Sequence, residues 1–195
     1  MKNFSWLVAV ALVVACGDNG TGDETASTGA DDTAGDTMNT PTGGEDESQT
    51  PPMGYEAIEA WLAAGHYKMW ACETANHDAR SPSPHGKNRI CSNDVLSAHA
   101  TQDEYPVGSA GVKEIYDAAG ATIVGYAVYR HISAGTTGAN WYWYERVPIE
   151  QMEPAHDANG VVADGSDVPL CVGCHMATGI DDGHSGHDFV YTQVK

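Results

Sequence analysis

Positive charge is scarce in this chain. Nine Lys and Arg stand against 27 Asp and Glu among 195 residues, a formal net charge of -18. A protein that tracks a phosphate backbone needs the opposite balance, so nucleic acid is excluded as a partner. Long apolar runs are scarce too: beyond the N-terminal segment none approaches the length of a membrane span. There is no internal repeat. Methionine is nearly missing from the C-terminal end, where only Met176 lies beyond position 152. Phenylalanine occurs twice, as Phe4 and Phe189.

The most specific stretch is Cys171-Val172-Gly173-Cys174-His175. C-x-x-C-H is the attachment sequence for a c-type haem. Two thiols at this spacing add across the two vinyl groups of one macrocycle, and the adjacent histidine becomes an axial ligand of the iron. A zinc site would call for a second Cys/Cys or His/His pair at ligand spacing. A thioredoxin-like pair would call for a βαβ context and no obligatory histidine. Covalent haem c, one per chain, is therefore the expected cofactor, with Cys171 and Cys174 as its tethers and His175 as its iron ligand. His184 and His187 form a further His-rich stretch, read as a solvated loop rather than a cation site.

Residues 1–15 read as a signal peptide. Lys2 supplies a short positive region, and residues 4–15 form an uncharged, mostly apolar run too short to span a bilayer. The run ends in Val13-Val14-Ala15-Cys16, which resembles the lipobox of bacterial lipoproteins and implies lipidation at Cys16. A lipid-anchored protein of the bacterial cell envelope, facing the periplasm or exterior, is expected. The resemblance of the motif to bacterial c-type proteins implies haem attachment outside the cytoplasm, so the two ends of the chain agree. Residues 16–52 form the expected linker. From position 17 onward it holds nine Asp or Glu, no Lys or Arg and no aromatic residue. Such a composition offers too little apolar surface to offset ordering entropy, so the linker is expected to be disordered and extended.

The haem-binding domain is expected over residues 53–195. Tyr55, Ile58 and Leu62, with Trp61 beside them, give a helix ending at Gly65. Residues 67–72 read as a strand and residues 73–88 as a loop. Residues 89–92 form a strand, and Asn93 caps a short helix from Asp94 to about His99. Cys72 and Cys91 bracket the loop; in an exported protein they invite a disulfide, with two buried free thiols as the alternative. Strands follow at 109–116 and 122–132. In Trp141-Tyr142-Trp143-Tyr144 two indoles alternate with two phenols, which places the pairs on opposite faces of a strand. Residues 148–169 read as irregular, and 189–192 as a final strand. The fold class is α+β, predominantly antiparallel β-sheet with a few short packed helices.

The lateness of the haem motif limits its use. Met176 adjoins the proximal histidine and cannot reach the opposite face of the ring. A sixth ligand would come from upstream, from Met69, Met152 or a histidine; without one the iron is open to small ligands. The four long helices of the helical cytochromes c′ do not fit this strand-rich pattern.

Several stretches together resemble the cytochrome P-460 family, which shares its fold with the cytochromes c′-beta. They are Tyr105-Pro106-Val107-Gly108, Val112-Lys113-Glu114-Ile115-Tyr116, Trp141-Tyr142-Trp143-Tyr144-Glu145, the late haem motif, and Asp188-Phe189-Val190-Tyr191-Thr192. The resemblance covers roughly Tyr55 to Thr192. It implies a homodimer, a covalent haem with His175 on its proximal side, and a distal face that binds nitric oxide or oxidises hydroxylamine. Members that oxidise carry a lysine cross-linked to the macrocycle and a distal carboxylate. The lysines of the domain are Lys68, Lys87, Lys113 and Lys195, and the resemblance selects none of them. Glu145, Glu150 and Glu153 are the candidate distal proton carriers. The expected partners are a small nitrogen compound and a redox protein. A plain electron-transfer cytochrome and a disulfide-stapled binding module without catalysis are the alternatives.

Overall fold

The computed structural model describes residues 46–80, 83–148, 157–182 and 184–195. The signal peptide, Cys16, most of the linker, Glu150, Met152 and Glu153 lie outside the described residues.

The domain is α+β. Helix α1 (Tyr55–Ala64) and a 3-10 turn (His66–Met69) lead into strands β1 (Ala71–Cys72) and β2 (Asn88–Ser92). Helix α2 (Asp94–Ala98) precedes β3 (Ala110–Tyr116) and β4 (Ile123–His131). A second 3-10 turn (Gly138–Asn140) opens β5 (Trp141–Arg146), and β6 (Val161–Ser166) leads into helix α3 (Pro169–His175). The six strands form one antiparallel sheet in sequence order, β1-β2-β3-β4-β5-β6. Each strand pairs with its neighbour in the chain.

Alternation along the strands sorts side chains onto two faces. One face carries Val112, Val128, Tyr142 and Tyr144, packed beneath Ile58, Trp61 and Leu62 of α1. The other carries Tyr129, Trp141 and Trp143, packed against Phe189, Val190 and the partly buried Cys171 and Val172. Both aromatic pairs of β5 are buried, at 0, 3, 3 and 1 % exposure from Trp141 to Tyr144. Each phenol keeps its hydroxyl paired on the α1 side: Tyr142 donates to Asp164 at 2.6 Å and Tyr144 to Glu59 at 2.6 Å. Glu114 is buried beneath this face. It accepts from Tyr67 at 2.8 Å and Tyr116 at 2.7 Å, and lies 3.4 Å from the Arg89 guanidinium.

Local signals operate where expected. Gly65 closes α1 with a left-handed φ of 75°. The Asn93 carboxamide accepts from Leu96 N at 2.9 Å, capping α2, and from Ala110 N at 3.0 Å, which ties the helix to β3. Cys72 and Cys91 face each other across β1 and β2 and are disulfide-bonded. Closing this loop is worth about 3 kcal/mol in the chain-entropy model.

Four segments differ from the sequence reading. Residues 66–69 form a 3-10 turn rather than a strand, because Tyr67 and Trp70, three apart, both turn toward Trp61. Residues 161–166 form β6, which has no clear alternation of its own and exists by pairing with β5. Residues 189–192 form no strand; His187 and Val190 make a single bridge around a tight turn. Residues 46–52, assigned above to the linker, pack onto the domain. Trp61 and Trp70 donate to the carbonyls of Glu47 and Ser48, and Asn93 donates to that of Gln49. Exposed composition concealed this, since backbone carbonyls make the contacts.

The buried carboxylate provides a test of the α1 face. Glu114→Leu leaves Arg89 and two phenol hydroxyls without their acceptor, so a loss of about 3 kcal/mol is expected. A fall in the urea midpoint at unchanged slope would register it; an unchanged midpoint would show that this cluster contributes nothing.

Candidate functional site

Helix α3 begins with Pro169 at its first turn, where a missing N–H costs nothing. Positions 171, 174 and 175 are three and four apart, so they share one face of the helix. That face borders a cavity of about 450 Å³, and Cys171, Cys174 and His175 all line it. This lies within the usual range for cofactor sites, about 300–1,000 Å³. Ile90, Ile115, Ala127, Val147 and Leu170 supply much of its apolar wall. Tyr129, Trp143 and Tyr191 add aromatic surface. The helix is held by close backbone approach: a Cβ on Gly138 would overlap the branched side chain of Val172. The Trp143 indole then donates to the Gly138 carbonyl at 3.2 Å, joining the floor of the cavity to the helix support.

His175 is fixed in one tautomer. Its Nδ1 lies 2.6 Å from the Phe189 carbonyl, an acceptor only, so Nδ1 carries the proton and donates. Nε2 is left with its lone pair. The ring sits 4.8 Å from Trp143 and 5.4 Å from Tyr191 between ring centroids. Burial holds the imidazole neutral, its pKa pushed down to about 4; the Phe189 contact opposes this and the nearby Lys113 and His85 charges add to it. Burial likewise pushes the Cys171 thiol up to about 12, reinforced by Glu145 and Cys174, so it stays a protonated thiol. Tyr191 donates to the Cys174 carbonyl at 2.9 Å, and Thr178 accepts from Phe189 N at 3.0 Å.

The carbonyl that holds His175 comes from the turn read above as a strand. Asp188 and Phe189 have φ of 43° and 66°, the left-handed region that bulky residues avoid. Gly186 has φ of 94°, and any side chain there would run into the Val190 carbonyl. Asp188 accepts from Tyr105 N at 2.7 Å and anchors the turn.

A polar group faces the same cavity. The strand register aligns Lys113 with Ala127 and Ala127 with Glu145, so lysine and carboxylate lie on one row across β3, β4 and β5. His85, from the loop before β2, brings Nδ1 to 3.0 Å from Glu145 Oε1, with both side chains close to 12 % exposed. Lys113 Nζ is 3.5 Å from Ser83 Oγ. Burial lowers the Lys113 pKa to about 8, against the pull of the Glu145 charge.

Cys171, Cys174, His175, Lys113 and Glu145 are thus brought together. Lys68 is exposed, Lys87 pairs with Asp78 at 2.6 Å, and Lys195 is terminal and exposed; none of these borders the cavity. Met69 is 86 % exposed and also lies outside the wall. His85 was not singled out from sequence, since a histidine in a Ser/Pro loop carries no spacing signal. Cys171 and Cys174 remain free thiols. Among the described residues no cluster of His, Cys, Asp or Glu has the arrangement of a metal site, and His184 pairs with Asp181 at 2.8 Å.

These residues fit a covalently held, planar apolar cofactor. Two unpaired thiols and one imidazole lone pair converge on an apolar cavity from the same helical face. The chain matches no family model, no curated protein and no solved structure.

Lys113 gives a test by pH. Its ammonium is favoured more in the unfolded chain than in the cavity, so the unfolded state binds the extra proton between about pH 8 and the ordinary lysine range. Stability of the chain without a cofactor should therefore rise with pH through that window, by about 3 kcal/mol. Lys113→Met should remove this rise, and equal slopes for both proteins would refute the assignment.

Proposed function

We propose that this domain is a mono-haem c-type cytochrome with a cytochrome P-460-like fold, anchored by lipid at Cys16 outside the cytoplasm. Its open distal side binds or oxidises small nitrogen compounds such as nitric oxide and hydroxylamine. The observation that carries this reading is the convergence of two free thiols and the Nε2 lone pair of His175 on one apolar cavity. Cys171 and Cys174 tether the macrocycle through thioethers, and His175 Nε2 ligates the iron. The haem supplies an iron that binds a small ligand and exchanges electrons.

The chain supplies the rest. The Phe189 carbonyl orients the proximal imidazole and raises its basicity as a ligand. The apolar wall and the indole of Trp143 exclude water. Glu145 and His85 form a hydrogen-bonded acid–base pair able to hold or pass a proton at the His85–Glu145 contact. Of the domain's four lysines, Lys113 is the one on the cavity wall, which makes it the candidate for the lysine cross-link of the oxidising relatives. The homodimer and the redox partner that the family resemblance implies belong to the same reading.

A second reading has one observation behind it. His85 lines the cavity with Glu145 to orient it, so it is available as an upstream sixth ligand, and the protein would then be an electron carrier. Spectra of the purified ferrous holoprotein separate the two. A five-coordinate, high-spin spectrum that shifts on adding carbon monoxide or nitric oxide is expected. A low-spin spectrum that ignores both gases, and becomes high-spin in His85→Ala, would establish the carrier instead. Absence of covalent haem by pyridine haemochrome assay would remove both and leave a disulfide-stapled binding module. A red-shifted ferrous Soret band, lost in Lys113→Met, is the expected mark of the cross-link.

A further inference from the structure

Helix α3 and the turns that follow it have an unusual surface. Residues 171, 172, 174 and 175 turn inward, Leu170 stands at the cavity rim, and Gly173, Met176 and Ile180 are exposed outside the cavity wall. Hydrogen bonds from Met176 N to Val172 O and from Ile180 N to Ala177 O continue the chain in turns past the end of the helix, where Gly179 is left-handed at φ 77°. Leu170, Met176 and Ile180 are 49, 62 and 69 % exposed. These are three of the seven large exposed apolar side chains among the described residues, gathered in 11 consecutive positions. Carboxylates bound the stripe at both ends: Asp167 before it, Asp181 and Asp182 after it, all exposed. From position 147 to 194 the sequence has eight Asp or Glu and no Lys or Arg.

We propose that this acid-bounded apolar stripe along α3 and the turns after it is the docking surface for a positively charged redox protein. The proposal rests on the reading of the inner face as a haem site. Leu170 precedes Cys171 and Met176 follows His175 directly, so a docked partner comes within about one helix diameter, ~10 Å, of the two cysteines. The exchange is a single electron: one centre is oxidised as the other is reduced, and no bond or proton moves. Charge decides the occupant. A second copy would set Asp167, Asp181 and Asp182 against their own counterparts, and an anionic lipid surface would be repelled in the same way. A basic protein meets complementary charge at the rim and apolar surface at the centre, the anatomy of a transient interface.

Binding of a basic mitochondrial cytochrome c to the mature holoprotein, followed by calorimetry at low and physiological salt, tests this. Affinity should fall at least about tenfold between the two salts. Asp167→Asn/Asp182→Asn should weaken binding about tenfold, as should Met176→Gln/Ile180→Ser. Asparagine is well suited to position 167, where φ is 53°. Glu47→Gln/Glu56→Gln removes the same charge from the α1 side and should change affinity less than about twofold. Equal loss in this control would show that overall charge alone attracts the partner, and the proposal would fall. It would fall equally if Met176→Gln/Ile180→Ser dissociated a dimer in sedimentation, or abolished binding to anionic phospholipid vesicles. The haem reading is checked apart from docking by pyridine haemochrome and by oxidation with ferricyanide, which needs no docking. The calorimetric result stands whichever way those two controls come out.

Discussion

The hydrogen bond from His175 Nδ1 to the Phe189 carbonyl is the contact on which the site depends. It selects the tautomer and turns Nε2 toward the cavity, while burial keeps the ring neutral. Making it requires the chain to double back after α3 and to hold Asp188 and the bulkier Phe189 at positive φ. Such strain costs on the order of 1–3 kcal/mol per residue, so neighbouring contacts have to offset it. They are visible: Thr178 accepts from Phe189 N, Asp188 accepts from Tyr105 N, and Phe189 and Val190 are buried among the indoles. The last stretch of the chain is a clamp for one imidazole.

The sheet lets that clamp coexist with a stable core. Its two faces hold different aromatics for different physical reasons. The phenols need acceptors for their hydroxyls, and on the α1 side Glu59, Asp164 and Glu114 provide them. The indoles bring large apolar area, and on the other side they form the floor beneath α3. A strand of strict aromatic alternation therefore separates a hydrogen-bonded core from a mostly apolar cavity without an extra layer. The disulfide and the residue 46–52 segment reinforce the first face, leaving the second free for the cavity.

The cavity brings ionisable groups of both signs together in an apolar surround. Lys113 and His85 lie near Glu145 inside an apolar surround, where burial lowers the proton affinity of Lys113 and charges act over longer range than in water. Outside, the carboxylates flanking α3 face solvent beside exposed Leu170, Met176 and Ile180. The short helix α3 thus stands between the cavity that holds these groups and an exterior flanked by carboxylates.

Much of the fold was readable from local chemistry. Strand alternation, the Asn93 cap, the Gly65 stop and the C-x-x-C-H spacing are each decided by neighbours a few residues apart, so the sequence by itself determined them. It also placed Cys171, Cys174 and His175 on one helical face as soon as they are helical. Tertiary structure alone decided the rest. Lys113 and Glu145 share a row because of strand register, with 31 residues between them in the chain. His85 reaches that row from a loop, and Phe189 meets His175 through a strained turn that residues 189–192, rich in strand formers, conceal. Strand β6 and the packed residues 46–52 have no pattern of their own, because their partners supply the hydrogen bonds. What depends on spacing along the chain was legible; what depends on which distant backbone lies alongside was not.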